Sequence, residues 1–211
     1  MASITDIANL ALQHLGESRI QSIEDTDKVS TTLRVNYDQS REESLEASPW
    51  TFALELVALS KLVTPPVWKW GAAYQLPSDY IRLYEIDGDH AWYPREYFAI
   101  KGRKLLIGRD EEYADLPDTL NIEYVKDEED TSLYSPAFVE VLAKKLAMKC
   151  ARTLTGSDKI RQQLMEELEK IDMPAARTIN GQNVYSGKNH PVLQVQARSF
   201  SRRARRNSEI I

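Results

Sequence analysis

With a single cysteine, Cys150, and three histidines, at positions 14, 90 and 190, this 211-residue chain is poor in the side chains that thiol and metal chemistry use. One cysteine has no partner for a structural disulfide and no pair for a thiolate cage, so neither an oxidising compartment nor a zinc staple is indicated. No stretch approaches the roughly 18 consecutive apolar residues of a membrane span. The opening residues MASITDIANL lack a basic segment followed by an apolar run. The expectation is synthesis in the cytoplasm, without signal-peptide export and without membrane insertion. H-E-x-x-H, C-x-x-C, G-x-G-x-x-G, G-x-x-x-x-G-K-[ST] and G-x-S-x-G are all missing, so no local signature of a metalloprotease, zinc site, dinucleotide fold, P-loop or nucleophile elbow is present. The sequence therefore points to a protein that is not an enzyme, with no catalytic residues, no cofactor and no metal.

What is present is an ordinary globular composition, 42% hydrophobic and 28% charged, with its charge divided unevenly along the chain. From Arg177 to Ile211 there are seven basic residues against one acid, a net of +6, while the preceding residues carry 20 basic and 31 acidic side chains, a net of −11. Two zones that meet different surroundings follow from that separation.

Helical periodicity runs from Ser3, an N-cap with Asp6 three residues on, through Ile7, Ala8, Ala11, Leu12 and Leu15 to Gly16. A second helix starts near Asp25 or Asp27, aligns Val29, Leu33, Tyr37 and Leu45, and stops at Ser48-Pro49. Ser135-Pro136 opens a third, with Val139, Leu142, Ala143, Leu146, Ala147, Cys150 and Leu154 on one stripe closed by Gly156. A fourth begins at Ser157 or Asp158, and Pro174 ends or kinks it. Between the second and third helices the composition turns β-branched and aromatic. The strand candidates are 52–59, 80–86, 92–100, 104–107 and 120–125, with Lys101-Gly102-Arg103 as a hairpin turn. The fold expected is α+β: a four-helix bundle with a β-rich insertion between the second and third helices and an extended C-terminal arm. Its divisions are a first helical half at 1–49, the insertion at 50–125, a second helical half at 126–176 and the basic arm at 177–211.

Local clusters read mainly as structure. Asp87, Asp89 and His90 sit in a turn where Asp and Gly are favoured for backbone reasons. The acidic run Asp127–Asp130 reads as a surface loop, and Cys150 as a small buried thiol. Trp68 and Trp70 alternate as on one strand face near Tyr74, which suits an interface and internal packing equally. The segment from Arg198 to Arg206 is the most suggestive charge cluster. Arginine forks fit phosphates and carboxylates alike, so nucleic acid and an acidic protein surface both remain open as partners.

Several blocks in order, Ile7–Glu17, Arg19–Asp25, Val35–Arg41, Ala47–Ala53, Tyr74–Leu83 and Ser135–Ala143, resemble the tail tubular protein A family, the head-to-tail adaptors of short-tailed phages. The resemblance covers roughly residues 4–173 and lies in the succession of the blocks. It implies a structural virion protein at the head-tail junction, assembled as a dodecameric ring. Its neighbours would be the portal protein and the nozzle protein, similar to tail tubular protein B, with packaged DNA passing through the channel without sequence-specific binding. It also implies attachment to the portal through the C-terminal part, here Val192, Leu193, Val195, Arg198, Phe200, Arg202, Arg203, Arg205 and Arg206. The alternative is a nucleic-acid-binding protein that grips phosphates with this basic tail.

Overall fold

The computed structural model describes residues 2–64, 66, 68, 70–86, 98–108 and 116–182. Its helices begin where the caps predict. Helix α1 (Ile4–Leu15) is capped by Ser3, whose hydroxyl accepts from the Asp6 amide while the Asp6 carboxylate accepts from the Ser3 amide. Helix α2 (Lys28–Glu46) is capped by Asp27, and α3 (Pro136–Thr155) by Ser135 with proline at its first turn. Gly156 closes α3 at φ 68, a left-handed backbone that a side chain would strain.

Strands β1 (Leu54–Ser60), β3 (Tyr80–Ile86) and β6 (Thr119–Lys126) form one antiparallel sheet in the order β1-β6-β3. Strands β2 (Trp70–Gln75), β4 (Phe98–Lys101) and β5 (Lys104–Gly108) form a second, in the order β2-β5-β4. Lys101 and Lys104 are paired across the expected hairpin, with Gly102 at φ 55 and Arg103 at φ 59. Two positive φ values in a two-residue loop match the right-handed twist of the strands. Arg103 is held in that backbone by its guanidinium, which donates to the Pro77 and Ser78 carbonyls, and by its own carbonyl, which accepts from the Leu76 amide. The sheets enclose their own core of Leu59, Tyr74, Ile86, Leu105, Ile107, Leu120, Ile122 and Tyr124.

The expected four-helix bundle with a β-rich insertion is not the fold. Two findings correct it. First, α3 is a central helix packed by α1, α2 and α4 (Asp158–Glu167), and it buries Phe138, Val141, Leu142, Ala143, Leu146, Ala147, Cys150 and Ala151, wider than one stripe. Second, the strands make two three-stranded layers with a separate core, and the first layer also enters the helical core through Val125 and Leu54. The described strands are thus a two-sheet unit with its own core rather than an excursion from a bundle. Periodicity reveals which side of a helix is buried but not what buries it, which is why the sequence did not separate these arrangements.

The extended arm expected from Arg177 is likewise corrected over 177–182. Pro174 does not end the helical run. A π turn at Leu168–Asp172 precedes it, and helix α5 (Met173–Gln182) carries on beyond it. The Met173 amide reaches back to the Leu168 carbonyl, a five-residue step in place of the usual four, directly before Pro174, which has no amide to donate. Helix α5 is then tied to the end of α2. Arg177 donates to the Ala47 carbonyl at 2.9 Å, and the Asn180 side chain donates to the Pro49 carbonyl at 2.8 Å and accepts from the Thr51 amide at 3.0 Å. A chain ending at Gln182 should keep a cooperative thermal melt. One ending at Ala176 loses all three bonds, worth about 2–3 kcal/mol, and should melt roughly 5–10 °C lower by circular dichroism. Equal melting temperatures for the two would show that α5 contributes no stability.

Candidate functional site

The side chains nominated from sequence divide sharply. Asp87, Asp89 and His90 lie outside the described residues, as do Val192, Leu193, Val195, Arg198, Phe200, Arg202, Arg203, Arg205 and Arg206. Trp68 and Trp70 do not share a strand face. Trp70 opens β2, whereas Trp68 precedes it in a turn at φ 72 and is 90% exposed. Tyr74 faces inward, its hydroxyl donating to the Pro117 carbonyl at 2.6 Å.

Cys150 is fully buried on α3 beside the Thr32 carbonyl, and burial pushes its thiol up to about 12. A thiol held this far from ionisation is a poor nucleophile. Native protein at pH 8 should react with an aromatic disulfide reagent at least about a hundredfold more slowly than urea-unfolded protein. Comparable rates would place Cys150 at an accessible site. His14 lies against α3, with Nε2 3.0 Å from the Glu140 carboxylate. Among the described residues, no group of three or more His, Cys, Asp or Glu side chains is placed to hold a metal ion.

The acidic run after β6 is not simply a solvated loop. Asp127 receives both arms of the Arg41 guanidinium, and the Glu128 carbonyl accepts from the Tyr134 hydroxyl at 2.6 Å. Glu128 is itself buried, with its carboxylate 2.9 Å from Lys126 and accepting from the Asp130 amide. Sequence reading missed this anchor because Arg41 and Asp127 are 86 positions apart.

Two concave surfaces stand out among the described residues. One, of about 490 Å³, lies between α2 and the start of β3 and gathers Glu42, Glu43, Glu46, Asp79 and Asp127 around Arg103. The other, of about 660 Å³, lies between α2, α3 and the α4–π segment, with Met148, Met165, Leu168 and Met173 among its lining residues. Its polar groups are partly committed. Lys149 pairs with Glu43 at 2.8 Å, and Lys145 donates to the Glu43 carbonyl at 2.7 Å, with burial holding its ammonium below the ordinary range. These surfaces suit binding. Comparison with known proteins adds no relative: no family model matches the chain, and no curated protein matches it.

Proposed function

We propose that this chain is a structural adaptor of a short-tailed phage, joining the portal to the tail nozzle as a ring and continuing the DNA channel. The observation that carries the reading is the ordered succession of tail-tubular-protein-A-like blocks across residues 4–173. Charge separation supports it, since a body of −11 and a C-terminal stretch of +6 favour oriented contacts between unlike surfaces. So do the large apolar side chains left exposed on separate elements, Val35 on α2, Leu56 on β1 and Ile179 on α5. A head-to-tail ring needs two different faces on each copy, and such residues supply apolar contact on more than one.

The test is electron microscopy of the purified chain with and without assembled portal rings from the same virion, paired with pull-down at low and high salt. Deletion of 198–211 should abolish or strongly weaken portal capture, and changing Arg202, Arg203, Arg205 and Arg206 to Lys should give an intermediate loss, since Lys keeps charge but not the planar fork. Capture should keep an apolar, salt-resistant part. If the deletion binds portals normally but loses DNA, the basic end is a phosphate-binding tail. In that case the adaptor role assigned to it fails.

A further inference from the structure

The groove between α2, α3 and α4 brings an apolar floor, continuous with the helical core, beside two arginines. Its apolar lining comes from Met148 on α3, Met165 on α4, Leu168 in the π turn and Met173 at the start of α5. The π turn is what allows Leu168 and Met173, five residues apart, both to line it; such turns recur at functional positions. Leu168 and Met173 are buried, whereas Met165 stands 44% exposed and Met148 is half-buried, so the floor opens towards solvent. Arg152 and Arg161 border this floor, exposed, and neither has an ion pair among the described residues. That sets them apart from Lys149 and Lys145, which are already held by Glu43.

From this geometry we infer a docking groove for an acidic amphipathic helix of a partner protein, its apolar stripe on the methionines and its carboxylates on Arg152 and Arg161. The walls are helices, and the cleft between helices accepts the apolar face of another. Methionine is unbranched and adapts its shape to an incoming surface. Charge complementarity favours the acidic class, because among the described lining residues the charges without an ion pair or a side-chain hydrogen bond are Arg152, Arg161 and Glu169, a set that is net positive, and arginine forks pair carboxylates. Nucleic acid fits less well. Two free cations make a short phosphate track, Glu43 and Glu169 lie along the same groove, and no aromatic ring lines it for base stacking. The inference is independent of the adaptor reading, since it concerns the described body rather than the basic C-terminal stretch.

The experiment uses the full chain and a fluorescein-labelled, capped peptide of about five helical turns, with Leu at i, i+3, i+4 and i+7 spacing and Glu elsewhere. Its controls are a Lys-for-Glu version of that peptide and a single-stranded oligonucleotide. The expected result is saturable binding of the acidic peptide in fluorescence anisotropy, with the methyl resonances of Met148 and Met165 shifting in step. Arg152→Glu with Arg161→Glu should weaken binding at least about tenfold while the thermal melt is retained. Should that double variant fail to fold, Arg152→Gln with Arg161→Gln supplies the milder comparison and should weaken binding several-fold. Absence of binding overturns the proposal, and so does equal affinity for the Lys peptide or equal affinity in the folded charge variants. Preferential binding of the oligonucleotide, or methyl shifts that follow chain concentration without peptide, also overturns it, by assigning the groove to nucleic acid or to a second copy.

Discussion

Trp50→Ala should cost about 3–5 kcal/mol, enough to unfold a protein of ordinary stability in mild denaturant. Trp50 follows Pro49 at the point where α2 gives way to β1, and its indole is completely buried. Its Nε1 donates to the Ser44 carbonyl at 2.7 Å, a carbonyl in the last turn of α2. Its ring meets Phe138 edge-on with centroids 5.1 Å apart, and Phe138 in turn meets Phe52 at 5.0 Å and Tyr134 at 4.8 Å. Four aromatic rings thus join the exit of α2 to the entry of α3. Removing the indole leaves a cavity inside that cluster and strips the Ser44 carbonyl of its donor. Trp50→Phe keeps most of the ring contact but not the donor, so its loss should be about 1–2 kcal/mol. Urea titration followed by far-ultraviolet circular dichroism measures both, and an unchanged midpoint for the alanine variant would show that the cluster is not where the two halves are joined.

That cluster also marks the boundary of what was legible in the sequence. Ser3, Asp27, Ser135, Gly16 and Gly156 act within a few residues of themselves, so the ends of α1, α2 and α3 could be placed from chemistry alone. Lys101-Gly102-Arg103 is equally local, and its turn closes a hairpin as expected. Contacts between distant segments carry no such signal. Nothing in the stripe of α3 announces that α1, α2 and α4 will all pack on it, and nothing in the strand runs assigns them to two separate sheets. Of the two outcomes expected at Pro174, an end or a kink, the end is the one the structure removes. Proline removes one amide, yet here it follows closely on a π turn and the helical run proceeds beyond it. The groove shared by Met148, Met165 and Met173 was invisible for the same cause as the α3 hub: its residues come from three helical segments whose relative placement only tertiary packing decides.

Arg41→Ala should destabilise the fold by about 3 kcal/mol, the lower end of what breaking a buried ion pair costs, because the Asp127 left behind keeps some access to water. Arg41 is only 4% exposed. Both of its terminal nitrogens engage the Asp127 carboxylate, one also reaching the Glu128 carbonyl at 3.4 Å, while Asp38 and Glu129 stand at 3.7 and 3.9 Å. Guanidinium geometry matters here, since a single ammonium cannot reproduce the paired bonds. Arg41→Lys should therefore recover only part of the loss. The decisive comparison is Arg41→Met combined with Asp127→Leu. If the cost of Arg41→Ala lies in stranding a carboxylate, replacing both partners with apolar groups restores much of the stability, and a double-mutant cycle gives a coupling energy of the order of 1–3 kcal/mol. A coupling near zero would mean that Arg41 acts through its aliphatic stem and through Glu128 alone. The pair also bears on binding. It ties α2 to the segment after β6, and α2 supplies Asn36, Gln39 and Glu43 to one wall of the methionine groove. Loosening α2 through Arg41→Ala should therefore weaken acidic-peptide capture without touching Arg152 or Arg161, whereas Arg41→Met with Asp127→Leu should restore capture together with stability.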